Sequence, residues 1–217
     1  MNNQHKPYGL YEKYFKRVLD VFCSLTALFV FWWLFIIIAV LVRIKLGSPV
    51  LFKQGRPGKN EEIFNLYKFC TMTDARDENG NLLPDEVRLT KFGRVLRATS
   101  LDELPEVFNI LKGEMSLVGP RPLTIQYLPY YSEEERHRHD VRPGLSGLAQ
   151  VNGRNFIDWD HRLALDVQYV KEITFIGDLR IIFQTALKIV KREDIAVDTN
   201  KVEPNFAEER RLKKRLK

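Results

Sequence analysis

Cysteine is nearly missing from this chain of 217 residues. Cys23 and Cys70 stand alone, too few and too far apart for a disulfide framework or a thiolate metal site. The expected states are one lipid- or core-facing thiol and one strand thiol, in a reducing compartment. Also lacking are the Gly-Lys-Ser/Thr sequel of a phosphate-binding P-loop and the GxGxxG fingerprint of a dinucleotide fold. There is no internal repeat, which excludes solenoids and propellers. Histidine is scarce. The one close pair, His137 and His139 beside Asp140, has no second ligand cluster and reads as solvated surface rather than a zinc site. Acid is outnumbered by base, 28 residues against 34, for a net charge of +6. That balance asks for an anionic partner: nucleic acid, an acidic membrane surface or phosphorylated small molecules. Basic residues lie dispersed between carboxylates with no recognisable nucleic-acid motif, so nucleic acid is not the expected partner.

Charge is absent altogether from Val21 to Val42, a run long enough at helical rise to cross a hydrocarbon core. It is too long for the apolar segment of a signal peptide, and Arg43 and Lys45 follow it directly. Lys6, Lys13, Lys16 and Arg17 precede it, and Lys53, Arg56 and Lys59 lie beyond. Two basic flanks both favour the cytoplasmic side, so the expectation is a re-entrant helix that dips in and returns. The chain then divides into a basic segment (1–17), a membrane helix (18–47), a catalytic domain (48–200) and a charged, frayed tail (201–217).

Within that domain Ser48–Gln54 and Ile63–Thr71 read as strands, with a turn expected at Gly55–Gly58. Val87–Thr99, Thr124–Asp140, Asp160–Glu172 and Asp178–Arg192 read as helices, the last with an apolar face suited to the core or to a headgroup layer. The fold class expected is therefore α+β, mainly helical: a membrane helix joined to a compact domain with a small β-hairpin and amphipathic interfacial helices. The glycine-rich stretch Val141–Asn155, with Arg142 and Arg154, suits close approach of backbone to a ligand.

Chemistry concentrates at Asp102-Glu103, bracketed by Arg94, Arg97 and Arg121. Ser100 and Glu103 fit a capping box, and Leu104, Val107, Phe108 and Leu111 form a core-facing stripe ending at Lys112-Gly113. Read chemically, the same acidic pair at a helix start, ringed by guanidinium groups, suits work on phosphates. The arginines neutralise phosphate oxygens, and the helix dipole keeps a carboxylate ionised for attack.

In order along the chain come Tyr67-Lys-Phe69, Ser100-Leu-Asp-Glu-Leu-Pro105, Leu117-Val-Gly-Pro-Arg-Pro122, Val141-Arg-Pro-Gly144 and Ala149-Gln-Val-Asn-Gly-Arg-Asn155, after a basic-flanked membrane helix. The set resembles the bacterial sugar transferases, in the short form known as monotopic phosphoglycosyl transferases, from about Lys16 to Arg192. The resemblance implies transfer of a phosphosugar from a UDP-sugar to polyprenyl phosphate at the cytoplasmic face of the bacterial inner membrane, releasing UMP. It implies Asp102 as nucleophile and Glu103 as second carboxylate. Mg²⁺ would be shared by Asp102 and phosphate oxygens, with Glu103 a further candidate ligand. Phosphate or nucleotide contacts would come from Lys68, Arg97, Arg121 between Pro120 and Pro122, and Arg154. Inner-membrane lipid is an implied partner, and a homodimer is compatible with the resemblance. Three positions depart from the family pattern: Trp32-Trp33 replaces Ser-Pro in the membrane helix, Cys70 replaces a basic residue, and Leu148 replaces an aromatic. The alternatives are a membrane glycosyltransferase that releases UDP and a membrane adaptor without catalysis. The identity of the sugar is not encoded in any of these motifs.

Overall fold

The computed structural model describes residues 5–153, 157–191 and 205–215. A π-helical turn, Tyr11–Phe15, runs directly into α1, Lys16–Lys45, which passes through Trp32-Trp33 as one helix. Its two ends dock on the same domain by different means. At the N-terminal end Arg17 donates to the carbonyls of Ile110 and Leu111 (2.6 and 3.0 Å), and the buried Asp20 accepts from the Leu117 amide at 2.9 Å. Lys16 pairs with buried Asp178 at 2.6 Å. At the other end Ile38 and Val42 pack into an apolar cluster with Phe69 and Leu96. Midway between the two docks the helix is most exposed, Phe29 at 83% and Trp32 at 60%.

Strands β1 (Leu51–Pro57) and β2 (Ile63–Phe69) pair antiparallel, Leu51 opposite Phe69 and Pro57 opposite Ile63. The turn thus lies later than expected. Gly55, Arg56 and Pro57 extend β1, and the chain reverses over Gly58–Glu62, where Asn60 and Glu61 take positive φ. An asparagine tolerates that left-handed conformation, which is the signal that fixes the reversal there. The two-residue period of β2 puts Phe64, Leu66 and Lys68 on one face. Phe64 and Leu66 bury against Ile110 and Met115.

The expected 87–99 helix is interrupted. It splits into α2 (Asp85–Arg88) and α3 (Lys91–Ala98), because the Thr90 hydroxyl accepts from the Gly93 amide at 3.1 Å and starts a new helix. A 3₁₀ turn, Leu101–Glu103, precedes α4, Glu106–Lys112, which ends at Gly113 with φ 88° as its C-cap. Asn109 at the centre of α4 is fully buried and ties it to β2, accepting from the Tyr67 amide and donating to the Asn65 carbonyl.

Strands β3 (Ser116–Val118) and β4 (Gly144–Ser146) pair in parallel. The glycines of Val-Gly-Pro and Arg-Pro-Gly meet here. A Cβ on Gly144 would lie 2.0 Å from the Gly119 nitrogen, so glycine at 144 is what lets the two segments come together. The 124–140 region, expected as one helix, is instead a 3₁₀ turn holding Pro129 (Ile125–Tyr130), a short α5 (Glu133–Arg136) opened by a Ser132–Glu135 capping box, and a second 3₁₀ turn (His137–His139). Helix α6 (Leu148–Val151) leads to α7 (Trp159–Lys171), capped by Asp158, and α8 (Phe175–Lys191). The last described helix, α9 (Phe206–Arg215), occupies sequence expected to fray. It is held by Phe206, fully buried among Tyr131, Trp159 and Leu163.

Candidate active site

A cavity of about 580 Å³ opens between the hairpin, α3, the 3₁₀ turn at Leu101–Glu103, and α7. Asp102 and Glu103 both line it, as do Lys68, Arg97 and Arg121. At one end Leu46, Pro49 and Phe52 continue its wall to the exit of the membrane helix. Of the arginines bracketing the dyad in sequence, Arg94 turns away to the Leu89 carbonyl; Arg142 of the glycine-rich stretch donates to the Gly113 carbonyl. Arg154 lies outside the described residues.

Local backbone decides how the dyad faces the cavity. Ser100 sits in the left-handed region (φ 55°, ψ 18°) and its side chain caps nothing, so the expected Ser100–Glu103 capping box does not form. Glu103 goes elsewhere. Its Oε1 accepts from Lys68 at 2.5 Å and from Arg121 at 2.8 Å. Those two cations outweigh its burial and hold the Glu103 carboxyl far below the usual carboxylate range. Such a group stays charged and is a poor base.

Asp102 differs. No other side chain hydrogen-bonds its carboxylate among the described residues, and burial together with the Glu103 charge pushes its pKa up to about 6, against the pull of Lys68 and Arg97. Arg97 is oriented by its own bond, Nε to Thr71 Oγ1 at 3.0 Å. Pro120 and Pro122 are buried on either side of Arg121, whose side chain stays 43% exposed. The proline-locked backbone presents the guanidinium to both Glu103 and the cavity.

Three participants escaped the motifs. Glu106, 3% exposed, lies 3.2 Å from Lys68, and burial beside Glu103 raises its pKa to about 7. Its i,i+3 spacing from Glu103 is the signal that could have found it. Arg138 and Asp166 form an ion pair at 2.8 Å in the cavity wall, and Arg138 also donates to the Arg121 carbonyl at 2.7 Å. A separation of 28 residues leaves no sequence signal for that pair.

The electrostatic arrangement can bind a polyanion and offer it one uncommitted carboxylate. Among the described residues no group of three or more His, Cys, Asp or Glu is placed to cage a metal. The His137 ring bonds Asp140 at 2.8 Å, and His139 is buried with its pKa lowered to about 3 by burial and Arg138. With Glu103 neutralised by two cations, Asp102 is the carboxylate available to share a divalent ion with phosphate oxygens, the arrangement Mg²⁺ commonly takes.

A sequence profile of the bacterial sugar transferases matches residues 11–192. The "Uncharacterized sugar transferase EpsL" of Bacillus subtilis (strain 168) is 51% identical over 180 residues, 83% of this chain and 89% of its own length. The undecaprenyl-phosphate galactose phosphotransferase of Salmonella typhimurium (strain LT2) is 37% identical over 200 residues, 84% of this chain and 42% of its own. The UDP-glucose:undecaprenyl-phosphate glucose-1-phosphate transferase of Xanthomonas campestris pv. campestris is 36% identical over 187 residues, 81% of this chain and 38% of its own. This chain spans most of the first relative and less than half of the other two.

Proposed function

The chain belongs to the bacterial sugar transferase family, and on that premise we propose that it moves a sugar phosphate from a UDP-sugar to polyprenyl phosphate at a membrane surface. In the first step an Asp102 carboxylate oxygen attacks the phosphorus that bears the sugar. The bond from that phosphorus to the bridging oxygen breaks, and UMP leaves with the oxygen. In the second step an oxygen of polyprenyl phosphate attacks the same phosphorus and releases the Asp102 carboxylate, giving polyprenyl-diphosphate-sugar. The observation that carries this reading is the division of labour within the dyad. Glu103 is spent on Lys68 and Arg121, which leaves Asp102 facing a cation-lined cavity with no side-chain hydrogen bond to displace among the described residues.

Lys68, Arg97 and Arg121 bind and orient the diphosphate, and Glu103 keeps two of them in position. Asp102, with Glu103 a further candidate, would hold Mg²⁺, which would supply further masking of phosphate charge. The names of the Salmonella and Xanthomonas relatives support undecaprenyl phosphate as the acceptor class. The apolar mouth at Leu46, Pro49 and Phe52 gives such a lipid an entry beside the bilayer.

The same reading puts the domain on the cytoplasmic face of the bacterial inner membrane with α1 re-entrant. Both flanks of the apolar run are basic, and both ends of α1 are tied to one domain, by Arg17 and Asp20 at one end and Ile38 and Val42 at the other. Proline is missing from α1, and at Trp32-Trp33 the Trp33 indole donates to the Val30 carbonyl at 3.0 Å.

The test is incubation of the purified protein with single UDP-sugars and no acceptor. UMP release and a phosphosugar mass increment on the Asp102 peptide are expected. Release of UDP, or of UMP only when polyprenyl phosphate is added, overturns the two-step route.

A further inference from the structure

Behind Arg121 the wall opens into a second, smaller chamber of about 220 Å³. It shares Arg56, Lys68, Arg121 and Arg162 with the main cavity and adds walls of its own from Thr124, Tyr127 and Trp159. Pockets for whole drug-sized ligands run to about 300–1,000 Å³, so this one admits a ring rather than a nucleotide-sugar.

Two polar atoms there lack hydrogen-bond partners among the described residues, Arg56 Nε and Thr124 Oγ1, both shielded from solvent. Arg56 is held by its Nη2 on Gln54 Oε1 at 2.6 Å, and burial with Arg121 nearby lowers its pKa. A buried donor left without an acceptor is destabilising until something supplies one. The aromatic wall is rigid: Tyr127 and Trp159 meet edge to face at 5.4 Å, and the Arg162 guanidinium covers the indole at 4.6 Å. Glu106 is the chamber's carboxyl group.

We propose that this chamber seats the uracil ring of the donor, with the phosphates lying on Lys68 and Arg121 in the shared wall. This rests on the UDP-sugar reading above. Uracil carries two carbonyl acceptors around one N–H donor. The chamber offers Arg56 Nε–H and the Thr124 hydroxyl as donors, Glu106 as an acceptor, and an aromatic surface for the ring.

The test measures binding of UMP and of inorganic pyrophosphate, separately, by calorimetry on the full-length protein in detergent micelles. Thr124→Val and Arg56→Lys are each expected to weaken UMP about fivefold while leaving pyrophosphate unchanged. Arg56→Lys keeps the charge, so it carries the test if Thr124→Val fails to fold. Equal weakening of both probes, or no change in either, overturns the uracil seat. If wild-type protein still releases UMP from a UDP-sugar in that case, the transfer reaction stands without the seat. Wild-type protein that neither binds UMP nor releases it overturns both.

Discussion

Two charge clusters, one fully buried and one half-exposed, meet at one cavity and are built on opposite terms. Deep in the wall, Arg138 and Asp166 meet one to one at 2.8 Å, their side chains 1% and 3% exposed. Around Lys68 and Arg121 three carboxylates gather, Asp102 and Glu103 on the cavity and Glu106 in the smaller chamber beside it, and Glu103 takes the contacts of both cations that touch it. Burial raises the pKa of Asp166 as it raises those of Asp102 and Glu106, so a perturbed titration does not by itself separate the clusters. Pairing does. Asp166 has a guanidinium bonded to it, whereas Asp102 has none and opens on space. A half-buried carboxylate with no guanidinium bonded to it, in a cation-lined cavity, is poised for chemistry; a paired one buried deeper holds the wall together.

The sharpest way to break the comparison is to neutralise each acid in turn. Asp102→Asn is expected to lower turnover by at least about 10³-fold, since no other described carboxylate can take its place. The same change should raise Tm above pH 6. A carboxyl whose pKa is raised in the fold binds its proton more tightly there, so its ionisation costs stability as pH climbs from about 4 to 6. Asp166→Asn should do the reverse, costing about 3 kcal/mol by stranding Arg138, with activity per folded molecule largely kept. Thermal melts beside UMP-release rates separate the two. If Asp102→Asn melts lower than Asp166→Asn, the clusters do not differ in the way argued. Glu103→Gln lies between. Freeing Lys68 and Arg121 is expected to cost about 2 kcal/mol of transition-state binding, about 30-fold in kcat/KM.

What the sequence disclosed follows the range of the interactions involved. The membrane helix, the hairpin strands and the helix stop at Gly113 were legible because each is written in local periodicity or a single backbone requirement. The dyad, Lys68, Arg97 and Arg121 were legible through motif spacing, and the cavity gathers all of them. Competing local forces shifted the finer structure. Ser100 took a left-handed turn where a cap was expected, Thr90 broke a helix that hydropathy alone ran through, and Asn60 moved the hairpin turn past Gly55. Contacts far apart in sequence left no trace. Arg138–Asp166 is one, and the burial of Phe206 under an otherwise charged helix is another: a single aromatic among alternating charges does not read as an anchor.

The smallest effect is also the one that ties the clusters' electrostatics to rate. With Asp102 ionising at about 6, the nucleophilic form is nearly complete at pH 7.5 and falls to about a tenth by pH 5. The acid limb of kcat/KM for the donor should therefore fall about tenfold between those values. Glu103 is a cause of that raised pKa, so Glu103→Gln should move the limb to lower pH even as it lowers the plateau. Asp166→Asn, acting on a paired acid in the wall, should leave the limb where it is. A limb that shifts with Asp166 and not with Glu103 would mean that the titrating group belongs to the deeper cluster, and the contrast between a structural pair and a reactive carboxylate would have to be drawn the other way round.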